Sequence, residues 1–527
     1  MTDEREGGDI TAADMIPPLT EPSQIQQYFD GTTVFLTGAT GFLGKLITEK
    51  LLRSCPDLKK CYIMIRQKKG KTAEQRLEEM FDGVLFDRLR RENSKAFDKV
   101  SMIYGDLVEP NLGLSEEDKQ RILAEVNCIF HVAATVRFDE KIRVSTYINI
   151  RATRDLLRMA KDMKNLKSFI HVSTAYSHCP RKEIDEQFYE PPITADKLLN
   201  VVESLDDETL TAITPALLGQ FPNTYVYTKA IAEDVVKKEG AGLPVAMIRP
   251  SIVLATSKEP VAGWIDNLYG ATGIIVGAAL GLIRTLHCDP EKLADMVPAD
   301  NVINCAIAAA WDVGKRKCLN NNVESNFQEN EVEENGVAVY NYVSSPEKPI
   351  RWKEWKRLGE KHGPAVPSPL LVWHYCFFLN SNYYIHWLCL ILLQRIPAYI
   401  VDFLAYCVGK KPMLVKGYQK IEKFLNVISY FATRTWLFRN KNTRNLWTKL
   451  NEEDQKLFMF DMGRFEWDSY FYTYIRGGRV YLLKDPLDTI PQGRVKYYKL
   501  KLAHYTLVTV LALIFLKLIL VLWNLIF

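Results

Sequence analysis

The sequence predicts an α/β protein with a Rossmann-type doubly wound parallel sheet, then a small, mainly helical C-terminal domain and a C-terminal transmembrane helix. Three observations predict it. Near residue 34 an apolar strand pattern breaks into glycines and then into an amphipathic run. Strand and helix patterns alternate through a long stretch after it, as a parallel sheet with crossover helices requires. The last 23 residues are almost wholly apolar, long enough to cross a bilayer.

At 527 residues the chain exceeds one ordinary core, so two or three domains are expected. Hydrophobic residues make 47% and charged residues 25%, a globular and not a disordered composition. With 67 basic and 63 acidic residues the net charge is +4, which does not point to nucleic acid. The ten cysteines include no Cys-x-x-Cys and follow no secretory signal, so reduced thiols facing cytosol are expected. Met1–Gln27 is polar and carries Pro17 and Pro18; residues 1–29 are expected to be a mobile tail.

Val34, Phe35 and Leu36 read as a buried strand, followed by Gly38, Gly41 and Gly44 and by a helix through Ile47, Leu51 and Leu52. A diphosphate needs free backbone N–H groups and the positive end of a helix dipole, which strand, glycine turn and helix supply in that order. Thr37, Thr40, Phe42 and Leu43 share the turn and are expected to join the three glycines at the cofactor. The strand Cys61–Arg66 ends on a cation where an acidic residue would bind the ribose of NAD. Arg66, with Lys68 and Lys69, is suited to a 2′-phosphate, so NADPH is the expected cofactor.

Val100–Gly105 is the third strand, with Asp106 placed to accept from an adenine amino group and Leu107 beside it. Val126–Val132 is the fourth and runs into Ala133, Ala134 and Thr135, where ribose and nicotinamide would lie against backbone. Ser168–Val172 is the fifth and ends in Ser173-Thr174-Ala175-Tyr176, where a hydroxyl would point into the same crevice as the cofactor. Pro244–Ile248 is the sixth, followed by Arg249 and by Pro250, Ser251 and Ile252 at the cofactor. Val337–Tyr342 closes the series after a polar loop at Asn320–Glu334. Between the fifth and sixth strands, Tyr225 and Lys229 stand four apart on one helix face. An ammonium beside a phenol would lower the phenol's pKa. Tyr227 is the decoy, its partner four residues on being Ile231.

Thr-Gly-x-x-Gly-x-x-Gly, Gly-Asp, Ser-Thr-Ala-Tyr, Tyr-x-x-x-Lys and Arg-Pro-Ser together resemble the extended short-chain dehydrogenase/reductases. More narrowly, His131–Asp139, Pro222–Lys229 and Gly263–Asn267 resemble the fatty acyl-CoA reductases, over about residues 30 to 490. Ala152 departs from the glycine that many relatives carry there. The resemblance implies reduction of a fatty acyl-CoA to aldehyde and then to alcohol with two NADPH. It implies Tyr225 as proton donor, Thr174 as a second donor to the carbonyl oxygen and Lys229 as the residue that tunes Tyr225 and holds ribose. Ser173 is the alternative hydroxyl. No cysteine nucleophile is required, and the eight histidines show no metal-ligand spacing. The other readings are a membrane steroid dehydrogenase of the same superfamily and a non-catalytic NADPH-binding scaffold.

The expected division is 30–365 for the reductase domain with its acyl region, 366–490 for the helical domain, 491–504 for a basic juxtamembrane linker and 505–527 for the anchor. The glycines of Gly263–Ile283 suit either an acyl chain or close helix packing. Leu370–Val408 is apolar but interrupted, and reads as a core or interfacial helical pair; His374 and His386 within it read as satisfied core or interfacial residues. In Tyr505–Phe527, Lys517 opposes insertion by roughly 2.5–3.5 kcal/mol, outweighed by on the order of 5–10 kcal/mol from the apolar residues. Arg494, Lys496, Lys499 and Lys501 place the preceding flank in the cytosol. The endoplasmic reticulum is favoured, with peroxisome or lipid droplet open. Acyl-chain length and oligomeric state are not legible.

Overall fold

Seven apolar runs form one parallel sheet in the computed structural model, which describes residues 22–67, 70–320 and 336–526. The strands are β1 (Thr33–Thr37), β2 (Lys60–Ile65), β3 (Val100–Tyr104), β4 (Cys128–His131), β5 (Ser168–Val172), β6 (Val245–Pro250) and β7 (Ala338–Tyr342). Their order is β3-β2-β1-β4-β5-β6-β7, every pair parallel. The order reverses between β1 and β4, which opens a crevice at the carboxyl ends of these strands.

Both faces are covered, which is why the strands read as apolar runs and not as alternations. Leu36, Ile63, Phe130 and Ile170 belong to a core under the helices Phe42–Ser54 and Ala299–Asn320. Phe35, Tyr62, Ile129 and Phe169, one residue out of step, belong to a second core under Ala152–Lys161 and Thr224–Glu239.

Four expectations on organisation are corrected. The tail does not extend to residue 29. Gln24–Phe29 is a helix capped by Ser23, with Ile25 and Phe29 buried. The N–H groups of Gln24 and Ile25 donate to the Asp454 carboxylate at 3.1 and 3.2 Å. Residues 1–21, Lys68, Lys69, 321–335 and 527 lie outside the described residues.

Nor is 366–490 packed as a separate body. Phe378–Asn380 pairs with Thr285–His287, and Leu437–Phe438 pairs with Glu183–Ile184. Leu425, Phe458 and Tyr470 share one apolar cluster with Leu36. Glu186 staples the two parts by accepting from the N–H groups of Asn341 (2.9 Å) and Thr443 (3.1 Å).

The third correction concerns residues 491–504, which form no separate linker but about the first four turns of a continuous 37-residue helix, Ile490–Ile526, about 55 Å long. Its first turns dock on the distant stretch 369–373: Lys496 Nζ donates to the Pro369 carbonyl at 2.7 Å, and Trp373 Nε1 donates to His504 Nδ1 at 3.2 Å. The apolar remainder is bare.

Last, the polar residues in Leu370–Val408 do not break it into short pieces. Tyr383–Cys407 is helical for 25 residues through one π-turn, long and apolar enough to cross a bilayer. As for Gly263–Ile283, a Cβ at Gly277 would stand 2.6 Å from Ile283 Cδ1 and one at Gly281 2.3 Å from the Trp373 carbonyl, so these glycines serve close packing.

Candidate active site

The glycine turn after β1 is built by close approach. Gly38 has φ +79°, and a Cβ there would lie 2.7 Å from the Ala133 nitrogen at the end of β4. A Cβ at Gly44 would fall 2.1 Å from the Gly38 carbonyl oxygen. Gly41 is the N-cap of Phe42–Ser54 and brings no side chain to cap it. The leading N–H groups, at Phe42, Leu43 and Gly44, are therefore left for an anionic ligand. The Phe42 ring stacks on Trp264 at 5.4 Å. Thr37, expected at the cofactor, instead points into the core, its Oγ1 2.8 Å from His131 Nδ1. It supports the turn from beneath.

At the expected adenosine end, Arg66 is half-exposed and stands 3.8 Å from Asp106. A second guanidinium joins it that the sequence reading missed. Arg76 Nη1 donates to the Arg66 carbonyl at 2.6 Å and its Nη2 to Thr40 Oγ1 at 2.9 Å. Burial and the charge of Arg66 both lower the Arg76 pKa. A signal was present: Thr72 and Gln75 form a capping box, which starts a helix at Ala73 and sets Arg76 on its first turn. Leu107 turns away and packs against the second core.

The opposite end holds the hydroxyls. Asn223 caps Thr224–Glu239 by accepting from Val226 N–H at 3.0 Å, which places Tyr225 on the first turn. The Tyr225 phenol shares a hydrogen bond with Thr174, and burial pushes its pKa up to about 12. Thr174 Oγ1 also lies 3.4 Å from the Pro250 carbonyl and 3.3 Å from the Tyr176 N–H. Lys229 Nζ donates to the Val172 carbonyl at 2.7 Å, and burial pushes the ammonium down to about 8. The expectation that Lys229 lowers the phenol's pKa is corrected: enclosure dominates, and the phenol stays protonated at neutral pH. That is the state a proton donor needs.

Ser173 is corrected as well. Its hydroxyl donates to Glu233 at 2.5 Å, inside a buried network in which Glu233 also meets Arg249 (2.6 Å) and His178 (2.9 Å). Arg249 and His178 hold the Glu233 carboxyl well below its ordinary range against the opposing effect of burial. Ser173 positions the end of β5 and does not face the crevice. Tyr227, the decoy, is fully buried in the second core.

Asn149, not singled out from the sequence, ties the site together. Its Oδ1 accepts from Thr135 N–H at 3.1 Å and its Nδ2 donates to Thr228 Oγ1 at 3.0 Å. This joins the loop of Ala133 and Ala134 to the helix of Tyr225. The neighbouring Ser251 Oγ is buried with no hydrogen-bond partner among the described residues. Its backbone N–H is taken by the Tyr342 carbonyl at 3.0 Å, and Ile252 continues into a short strand. A free hydroxyl here and an uncapped glycine turn at the other end of the same crevice fit a dinucleotide. Crevice, hydroxyl pair and buried lysine define a nicotinamide-dependent oxidoreductase of the short-chain type.

Two family models described as male sterility protein, the first an NAD-binding one, match residues 36–306 and 393–485. Fatty acyl-CoA reductase wat of Drosophila melanogaster is 36% identical over 94% of this chain and 93% of its own. Fatty acyl-CoA reductase 1 of Rattus norvegicus is 40% identical over 93% and 92%, and that of Homo sapiens 39% over the same shares. The chain belongs to the fatty acyl-CoA reductase family. Among solved structures, the terminal R domain of the myxalamid biosynthetic pathway shares the fold at a TM-score of 0.51 and 19% identity, covering 86% of this chain and 91% of its own. A reductase domain of a Mycobacterium tuberculosis non-ribosomal peptide synthetase gives 0.52 and 17%, over 88% and 93%. The steroid-dehydrogenase and scaffold readings fall away with this membership.

Proposed function

We propose that this protein reduces long-chain fatty acyl-CoA to primary alcohol with NADPH, in two successive steps through an aldehyde, as part of lipid metabolism. The observation that carries the reading is the pairing of a protonated Tyr225 with Thr174 at the end of β5, beside the Gly38–Ala133 crevice. When bound, the reduced cofactor supplies a hydride to the thioester carbonyl carbon and, in the second step, to the aldehyde carbon. In the first step Tyr225 and Thr174 stabilise the charge arriving on the carbonyl oxygen, which re-forms the C=O bond as CoA thiolate leaves. In the second step Tyr225 transfers its proton to the alkoxide. Lys229 supplies positive charge beside the site, and Asn149 keeps the Thr135 loop and the Tyr225 helix in register.

Arg66 and Arg76 support NADPH over NADH: two adjacent guanidiniums at the end of β2 suit a 2′-phosphate, and NADH offers them no partner. Thr40, on the glycine turn itself, accepts from Arg76. The reading assigns the domains as one reductase unit with its acyl region and a helical C-terminal part, followed by an anchor at 505–527. It puts the catalytic part in the cytosol on the endoplasmic reticulum membrane, supported by the bare apolar helix and the basic residues before it. Detergent-solubilised protein incubated with a panel of acyl-CoAs and either NADPH or NADH tests the reading. Alcohol formed with NADPH is expected, and the absence of both alcohol and aldehyde across the panel would refute it. Fluorescence localisation of the full chain tests the compartment, with peroxisome and lipid droplet as the contrary outcomes.

A further inference from the structure

Tyr383–Cys407 is built inside out. Its inward stripe is His386, Leu390, Gln394 and Ala398, a four-residue repeat, and two of these four are polar. Both polar members bond to the domain: His386 Nδ1 lies 2.9 Å from Thr285 Oγ1, and Gln394 Oε1 accepts from Arg284 N–H at 2.9 Å. Asp402, one repeat further on, accepts from the N–H groups of Met413, Leu414 and Val415. The outward face is apolar and aromatic instead, including Leu388, Tyr399, Phe403 and Tyr384, the last 79% exposed. Water-soluble helices show the opposite arrangement, and soluble proteins rarely expose apolar patches beyond a few hundred Å².

We infer that Tyr383–Cys407 lies in the plane of the membrane, its outward face seated in the cytosolic leaflet of the lipid bilayer beside the C-terminal helix. This rests on the reading of 505–527 as a bilayer anchor. Continuity with that anchor selects lipid as the occupant. Trp373, which hydrogen-bonds His504 where the C-terminal helix becomes bare, lies over Arg284, and Arg284 also donates to the Leu393 carbonyl. The start of the bare helix and the middle of the bare-faced helix are therefore held together through Trp373 and Arg284. Exposed Lys410, Lys411, Lys416, Lys420 and Lys423 follow the apolar face, matching anionic headgroups at its edge.

An in-plane placement, not a spanning one, follows from the attachments at both ends. The N-terminal end continues from the strand Phe378–Asn380, paired with Thr285–His287, and the C-terminal end returns through Leu414–Ala432 to Asp289. That returning helix, 19 residues or about 28 Å, carries Phe431 on its last turn, where it stacks on Phe138 at 6.4 Å; Phe138 in turn lies 5.9 Å from Tyr225. The leaflet and the catalytic hydroxyls thus sit at opposite ends of one helix.

The test uses the full chain in unilamellar vesicles of phosphatidylcholine and phosphatidylserine. A genetically encoded fluorescent residue is placed singly at Leu388, Phe403, Ile514 or, as an aqueous control, Gln120. The expected result is several-fold stronger quenching by lipids brominated near the headgroup at Leu388 and Phe403 than at Gln120, with Ile514 quenched by deeper bromines. Labels at Ser381 and Lys410 should both respond to an impermeant quencher added on the side of the catalytic domain. Quenching at Ile514 without quenching at Leu388 and Phe403 would overturn this inference and leave the anchor standing. Absence of quenching at all three would overturn both. Labels at Ser381 and Lys410 answering from opposite sides would make the helix a spanning one and overturn the in-plane placement.

Discussion

Lys229 directs its ammonium to the carbonyl oxygen of Val172, 2.7 Å away, and the phenol one turn before it on the same helix is held protonated by burial. In the proposed mechanism lysine and tyrosine therefore have separate parts: one supplies charge, the other a hydrogen bond and a proton. The carbonyl also fixes the side chain in one direction, across the end of β5.

This separation gives a pH prediction. Burial brings Lys229 down to about 8 from 10.5. Between those values the unfolded chain still holds a proton that the native chain has released, so this residue's contribution to stability rises with pH across the window. Below about 8 both states are charged and the cost of burial is fully felt. Activity runs the other way, because the ammonium is lost as pH passes about 8. We expect kcat/KM for the cofactor to fall on an alkaline limb near pH 8, and Lys229→Arg, if folded, to move that limb upward. Initial rates from pH 6 to 10 check it.

The two hydroxyls after β5 should separate cleanly. Thr174→Ala should lower kcat by about 10²–10³-fold, the usual cost of one lost donor to a developing oxyanion. Ser173→Ala should leave kcat within a few-fold and lower Tm instead, because its partner is the buried Glu233 carboxylate and hydrogen bonds to charged groups are worth about 1.5–3 kcal/mol. Steady-state rates and thermal unfolding of both variants decide the assignment.

Glu233 should behave as a stability residue. Glu233→Gln leaves Arg249 buried and short of its counter-charge, at a cost of about 3–5 kcal/mol. With the native carboxyl held low, its contribution is present above the unfolded pKa of about 4.3 and is lost as pH falls through the folded value. Wild type should therefore lose its advantage over the variant on acidification, read as a narrowing Tm difference below pH 5.

Cofactor choice is expected to reside in Arg66 and Arg76. Replacing either by alanine should raise KM for NADPH about 10- to 100-fold, the worth of a charge-assisted hydrogen bond, with little effect on NADH. Arg66→Asp should shift preference toward NADH. Parallel titrations with the two cofactors measure both effects.

Much of the sheet was legible because buried parallel strands write themselves as short apolar runs, and the glycine turn because Gly38 and Gly44 sit where a Cβ would strike backbone. Thr174 was placed by the end of β5 and Tyr225 by the start of the helix Thr224–Glu239, and the structure brings the two side chains within hydrogen-bonding reach. Ser173 was misread because a one-residue step along an extended chain sends a hydroxyl to the opposite side, a choice settled by Glu233, 60 residues away. Thr37 failed in the same way through His131. Arg76 and Asn149 were missed because their partners, Thr40 and Thr228, are local in space and distant in sequence. The pKa of Tyr225 was misjudged because spacing reports a shared helix face and says nothing of Val172, which takes the ammonium.

A proton held on the Tyr225 phenol and passed to the product oxygen is the centre of the account. It is tested most directly by a single-turnover comparison of wild type and Tyr225→Phe with fatty aldehyde and NADPH, the step in which that proton must be delivered. Alcohol formation by the variant is expected to be slowed by about 10²–10⁴-fold, the usual worth of general acid catalysis, with NADPH binding unchanged. Alcohol formed at the wild-type rate by Tyr225→Phe would contradict it.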